Sequence, residues 1–286
     1  LFVLFAFIQD NVKAQMVLSG DVYVKMETTA APIYLVVDNP SSNAIMETGL
    51  GGNIVSENEN AIVRWNTGGV VSTGFIIPFV NLSDENIPFS FDVDNPAIGQ
   101  GSIDFSTYAT TPDNLPLPSG VSILENTGNG NINDGDEMYN RYWKIDAVGF
   151  ASYPELNLNF GYTGSEQTNG LTPGVSEMQA QFFNDQSSSW VGLFGNDNLI
   201  DEVSGAIPNT NLSNARFWTL VERPLIACTD TVSACDEYSW IDGVSYTSST
   251  NTPSELLASS QGLDSLVTLD LTINESTTSS LVETAC

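Results

Sequence analysis

Residues that break regular structure recur in pairs along this chain: Asn39-Pro40, Gly51-Gly52, Gly68-Gly69, Asn95-Pro96, Asp113-Asn114, Asn129-Gly130 and Gly164-Ser165. Proline fixes φ and donates no hydrogen bond, glycine opens positive φ, and Asn or Asp bonds its own backbone, so each pair marks a turn. No interval between them carries a 3.6-residue apolar period. The intervals are rich in β-branched and aromatic residues, which predicts strands over 21–26, 33–37, 61–65, 73–79, 89–93, 102–108, 142–147, 156–162, 178–183 and 217–221. The 16–225 region is long enough to bury a sizeable core, and short antiparallel strands do so most simply as two face-packed sheets. The expected fold is all-β: one antiparallel β-sandwich, immunoglobulin-like or jelly-roll-like. A division into two smaller units would fall in the irregular stretch 110–137.

The end of the chain reads as a smaller β unit over 226–275. In the stretch 266–273 the apolar residues Val267, Leu269, Leu271 and Ile273 fall on one side of a period-2 pattern, as in a half-buried strand. Ahead of it, 238–241 and 244–247 flank Asp242-Gly243, which predicts a hairpin closed by a two-residue type I′ turn. The stretch 253–260 is at most a helical turn or two. Glu283-Thr284-Ala285-Cys286 echoes Ser233-Ala234-Cys235 at a distance of 286 − 235 = 51 residues, so 276–286 is expected to open a second copy. At the other end, the apolar run 1–8 is too short to span a bilayer, and Val12-Lys13-Ala14 offers the small or modest residues a signal peptidase cleaves behind. Residues 1–14 read as the remnant of a secretory signal peptide, the other reading being a buried first strand. Export places the protein outside the cell, secreted or on the outer cell surface, with no transmembrane segment in its mature part.

Charge narrows the partners. Thirty-five acidic residues face 7 basic ones and no histidine, a formal net charge of −28. Such a chain repels nucleic acid and anionic membrane surfaces. Without histidine, Ser-His-Asp and Cys-His catalysis and every His-containing zinc or iron site are excluded. Three cysteines in an oxidising compartment permit a disulfide. Cys228 and Cys235 are near enough in sequence to close a small loop, leaving Cys286 for the following copy.

Carboxylate pairs of the kind glycosidases use are present as Asp92/Asp94, Glu57/Glu59, Asp201/Glu202 and Asp134/Asp136/Glu137. So acidic a chain also offers such pairs by chance at solvated turns, and no enzymatic activity is expected. Asn129, Asn131, Asn133, Asp134 and Asp136 alternate oxygen-bearing side chains around Gly135, as loops that wrap Ca²⁺ do. The glycine falls one position late for an EF-hand and the closing acid is missing, so an Asx-rich loop is the competing reading. Three arginines adjoin aromatics: Arg64-Trp65, Arg141-Tyr142-Trp143 and Arg216-Phe217-Trp218. Alternation sets Arg141 with Trp143 and Arg216 with Trp218, and sends Arg64 and Trp65 to opposite faces. Exposed Arg-aromatic pairs suit a sugar or an acidic partner; otherwise Trp fills the core and Arg pairs with carboxylates. Asn81, Asn211 and Asn274 begin Asn-x-Ser triplets.

The stretch 235–274 resembles a short β-rich repeat found in tandem in very large secreted and surface proteins of Bacteroidetes. There an "ACDSYTW-DG-TYT" opening leads to a "GCDS-VTLDLTIN" close; Leu263 stands here where that repeat has its second cysteine. The preceding region resembles an N-terminal domain of such multidomain proteins through Leu35-Val36-Val37-Asp38-Asn39-Pro40, Val63-Arg64-Trp65-Asn66, Ile103-Asp104-Phe105-Ser106-Thr107-Tyr108, Arg141-Tyr142-Trp143-Lys144-Ile145-Asp146, Gln179-Ala180-Gln181 and Phe217-Trp218-Thr219-Leu220. The resemblance implies a type IX secretion or gliding-motility setting and attaches no enzymatic activity. The expected function is that of a non-enzymatic part of a modular surface protein in adhesion or structural display, with extracellular glycans or surface proteins as partners. The alternative is an accessory or glycan-binding module of an extracellular carbohydrate-active enzyme whose catalytic domain lies elsewhere.

Overall fold

The structure, a computed structural model, describes residues 15–19, 22–27, 31–48, 53–128, 131–132, 137–167, 177–198, 200–208, 212–223, 226–257 and 265–276. The chain divides into two compact units, one ending at Arg223 and one beginning at Pro224. The first unit is all-β, with a seven-stranded and a five-stranded sheet. In space the larger sheet runs Ser189–Phe194, Glu177–Asn184, Ala215–Arg223, Arg141–Val148, Ser102–Ala109, Ala61–Trp65, Ile33–Val37. The smaller runs Asn196–Asp197, Glu202–Ala206, Glu155–Gly161, Phe89–Asn95, Ser72–Ile77. Both sheets combine strands from before and after 110–137, joined where Arg141–Val148 pairs with Ser102–Ala109 and Glu155–Gly161 with Phe89–Asn95, so that stretch does not divide the unit.

Alternation of side chains makes the core. Trp65, Phe105 and Trp143 of the larger sheet meet Phe75, Phe89, Phe91 and Phe160 of the smaller, all fully buried. Several of their rings pack edge-on: Trp65 and Phe75 lie 5.1 Å apart at 89°, and Trp143 and Phe160 lie 5.2 Å apart at 71°. Positive ring edges then face negative ring faces. The outer face of the larger sheet carries a second aromatic group, Tyr108, Tyr142, Phe183, Trp190 and Phe217, covered by Leu117, Val121 and Ile123. Trp190 Nε1 donates to the Ile123 carbonyl at 2.8 Å and Gln181 Nε2 to that of Glu125 at 2.7 Å. The irregular segment is therefore a packed cover.

Not every pairing is antiparallel. Ile33–Val37 runs parallel to Ala61–Trp65, Met16–Ser19 to Ile45–Thr48, and Tyr23–Lys25 to Asn53–Val55. An N-terminal segment thus runs beside the one that follows it, at the edge of the sandwich, an arrangement that leaves no local mark in sequence.

In the second unit Ile226–Cys235 and Ser265–Asn274 form a parallel ladder in unbroken register, from Ile226 opposite Ser265 to Cys235 opposite Asn274. Val267, Leu269 and Leu271 are buried on the predicted face with Trp240, and Ile273 packs against them. The hairpin joins Tyr238–Ser239 to Ser245–Tyr246, and the Trp240 N–H bonds the Val244 carbonyl at 3.0 Å, so the loop is the three residues Ile241, Asp242 and Gly243. Gly243 N–H bonds the Trp240 carbonyl at 3.0 Å, Gly243 has φ of 78° and Asp242 does not enter positive φ. A two-residue type I′ turn needs both central residues there; a three-residue loop needs only its last. Within 253–260, Ser254–Leu257 is a strand paired antiparallel to Ser265–Asn274, the ladder overriding the helical preference of Glu255, Leu256 and Leu257. The described residues include three short 3₁₀ turns, none of them long and apolar enough to cross a membrane.

The expected Cys228–Cys235 disulfide does not fit this fold. Both cysteines are free and exposed on one extended strand, 235 − 228 = 7 residues apart. At ~3.3 Å per residue that is roughly 23 Å, and the odd spacing aims them at opposite faces, whereas a disulfide needs Cα atoms about 4.4–6.8 Å apart. Leu263 and Cys286 lie outside the described residues. Peptide mapping of the non-reduced protein should accordingly find no Cys228–Cys235 linkage; recovery of that linked peptide would mean the strand is wrong.

Candidate functional site

The sandwich has two ends, built differently. At one, the loops after Ile33–Val37, Ala61–Trp65 and Arg141–Val148 meet the loop before Ser102–Ala109 around a cleft of about 500 Å³. Asp38, Asn66 and Gln100 contribute polar side chains, and Gly68, Gly69, Gly101 and Gly149 leave main chain accessible. Asn66 Nδ2 donates to Asp38 Oδ1 at 2.9 Å, and Trp65 Nε1 donates to the Asn39 carbonyl at 2.9 Å, tying the loops to the core. Glycine is required at 101: a Cβ there would stand 2.5 Å from the Phe150 ring. Amide, carboxylate and main-chain groups in a shallow cleft suit hydrogen bonding to a polyhydroxylated or peptide ligand.

The opposite end is closed by a buried ion cluster. Arg141 is fully buried on the Trp143 side of its strand. Its guanidinium donates to both carboxylate oxygens of Glu166 at 2.7 and 2.6 Å, to Glu57 Oε1 at 2.7 Å and to Thr107 Oγ1 at 3.1 Å. Burial works to lower its pKa, but the Glu166 hydrogen bonds and the charges of Glu57 and Glu166 hold it above the ordinary arginine value. Glu57 Oε2 also accepts the Ala109 N–H at 2.8 Å, and Asn81 Nδ2 bridges Glu85 at 2.8 Å and Glu166 at 3.2 Å. Glu85 takes further hydrogen bonds from Thr163 and Ser165. Those from Ser165 and Asn81, above all, hold its pKa below the ordinary 4.5. Tyr139, buried beside the cluster, is pushed well above its ordinary value, mainly by burial.

The other sequence candidates disperse. Asp92 accepts the Gly74 N–H at 2.7 Å, Glu59 holds Ser119, and Asp201 accepts Asn198 Nδ2 at 2.8 Å, so one of these acids closes a local turn and the other two tie separate segments together. Asn129, Asn133, Asp134 and Asp136 lie outside the described residues; Asn131 lies in the short strand Asn131–Ile132. Among the described residues no group of three or more acidic or cysteine side chains could hold a metal ion. Arg64 pairs with both oxygens of Asp104 at 2.7 and 2.6 Å and lies over Tyr34, while Trp65 fills the core. Arg216 departs from the expected placement. A bulge where Asn184 faces Ala215 turns it away from Trp218, so that it lies over Phe217 and reaches Asp146 at 3.0 Å and Asp185 at 3.6 Å. Asn81 is spent on Glu85 and Glu166, Asn211 lies outside the described residues, and Asn274 Nδ2 bonds Ser233 Oγ at 3.0 Å.

The sequence pointed to Arg141 but not to its partners: Glu57, Thr107 and Glu166 come from three distant segments. The one available signal was parity, since an arginine on the inward side of a strand must find buried carboxylates. No protein-family model, curated protein or solved structure matches the chain.

Removing Arg141 leaves two mostly buried carboxylates facing each other. Arg141→Met should therefore cost about 3–5 kcal/mol in urea unfolding, and adding Glu57→Gln and Glu166→Gln should restore part of it; a loss under about 1 kcal/mol would contradict the cluster's role. Glu85 has a depressed folded pKa, so its contribution is present above pH 4.5 and lost as pH falls through the lowered value. Glu85→Gln should flatten that part of the acid limb, read as thermal midpoint against pH below 4.5.

Proposed function

We propose that this chain is part of a non-enzymatic, exported, modular surface protein acting in adhesion or structural display, of the kind that the resemblance to Bacteroidetes surface proteins implies. The observation that supports the reading most is the path through the second unit. Its first and last strands lie side by side and parallel, so the chain arrives at one end and leaves at the other. A unit traversed in one direction spaces apart whatever it joins. Four of the acids offered as catalytic pairs, Glu57, Glu59, Asp92 and Asp201, are engaged in structural hydrogen bonds, which adds support. Extracellular glycans and surface proteins are the partners this role requires.

The second reading, a glycan-binding accessory module of a carbohydrate-active enzyme, is favoured by the glycine-lined cleft with Asp38, Asn66 and Gln100. Antibody against the sandwich should label intact cells expressing the full reading frame, and the purified chain should turn over nothing on a polysaccharide panel. Signal seen only after lysis, or turnover lost on changing one carboxylate pair, would overturn the first reading. Glycan binding lost in Asn66→Ala together with Gln100→Ala would support the second.

A further inference from the structure

We propose that the second unit bears tension, and that its first and last strands form the clamp that resists it. This rests on the reading above only in placing the unit between other parts of a long exported chain. The clamp is the parallel ladder between Ile226–Cys235 and Ser265–Asn274, each strand ten residues long. Force reaching the unit along the chain enters before Ile226 and leaves after Asn274, at opposite ends of two adjacent parallel strands. Such a pull slides one strand along the other. Parallel ladders have evenly spaced, slanted hydrogen bonds, so sliding strains all of them together and none yields first. Pulling apart two points at the same end would instead open the bonds one after another.

Other contacts fit a load path along the last strand. Its far side is held by Ser254–Leu257 and by Thr250, whose N–H bonds the Leu271 carbonyl while Leu271 N–H bonds the Thr250 carbonyl. Leu269 and Leu271 are buried beneath it, and Trp240 Nε1 ties the hairpin to Asp230 of the first strand at 2.9 Å. The departing chain is fastened as well. Asp236 N–H bonds the Asn274 carbonyl at 3.1 Å, the Asp236 carboxylate accepts the Ser276 N–H at 2.7 Å, and Ser276 Oγ donates to its other oxygen. Asp236 holds φ of 61°, a conformation aspartate tolerates better than most residues, so the carboxylate turns toward the exit. Asp236 is on this account a positioning residue that keeps the pull aligned with the ladder.

The test compares two directions of pull on one fold. In the full chain carrying Cys228→Ser, Cys235→Ser and Cys286→Ser, tethers are attached through Pro224→Cys with Thr277→Cys, or through Glu237→Cys with Thr277→Cys. The first pair shears the ladder and the second peels it. At one loading rate, the second unit should rupture at several-fold higher force in the first geometry, and Asp236→Ala should narrow that difference. Equal forces in the two geometries, or a lower force in shear, overturn the proposal. Either result leaves the surface-protein reading standing, because that reading is decided by where the protein is found.

Discussion

A charged guanidinium taken fully out of water has to be matched, and Arg141 sets that demand at the start of the middle strand of the larger sheet. Meeting it fixes three other places. Thr107 must face inward on the neighbouring strand, Glu166 must be carried in by the 3₁₀ turn Gly164–Glu166, and Glu57 must reach across from the turn before Ala61–Trp65. Glu57 does so at φ of 47°, a conformation that costs a β-carbon-bearing residue free energy and that the Arg141 and Ala109 contacts offset. The loops at this end are thus placed by one cation, whereas those at the other end are placed by glycine and by the floor that Trp65 provides.

The same economy of cations runs through the molecule. Among the described side chains, Lys25, Arg64, Arg141, Lys144 and Arg216 each stand within ion-pairing distance of a carboxylate. Lys25 and Glu27 are largely exposed, so solvent screens that pair and it decides orientation more than stability, whereas the pairs of Arg64 and Arg141 are mostly shielded from water. No lysine or arginine follows Arg223, so the second unit is purely acidic and is held by its small apolar core and its ladder.

The fold was legible where alternation was strong. The segments 33–37 and 61–65 coincide with observed strands, and those around Phe91, Phe105, Trp143, Phe160 and Trp218 differ only at their ends. Strands without that signal went unread. Glu202–Ala206 contains a glycine at φ of 73°, Met16–Ser19 and Ile45–Thr48 are four residues long, and Ile226–Cys235 is mostly small or polar. Those strands are specified by their neighbours. The two candidate sites were legible only in part, because the cleft assembles four separated loops and the ion cluster four separated segments. Parity found Arg141 and misled at Arg216, where one extra residue in the ladder reverses the rule.

Strand order in the larger sheet also separates the sequence in which the domain is delivered from the sequence in which it can assemble. Ala215–Arg223 is the last strand of the first unit, yet it lies between Glu177–Asn184 and Arg141–Val148. A chain emerging from its N-terminus can build the ladder out to Arg141–Val148, and can close the hairpin of Glu177–Asn184 with Ser189–Phe194. Within the larger sheet no ladder yet joins the two, the hairpin being tied on through Asn196–Asp197 in the smaller sheet. Each piece waits with an open strand edge, the feature that invites pairing with foreign chains. Nine residues then fill the gap and cover both edges in one step. Vectorial emergence therefore yields two unfinished half-sheets followed by sudden completion, and a chain cut short before Ala215 is left with both edges bare.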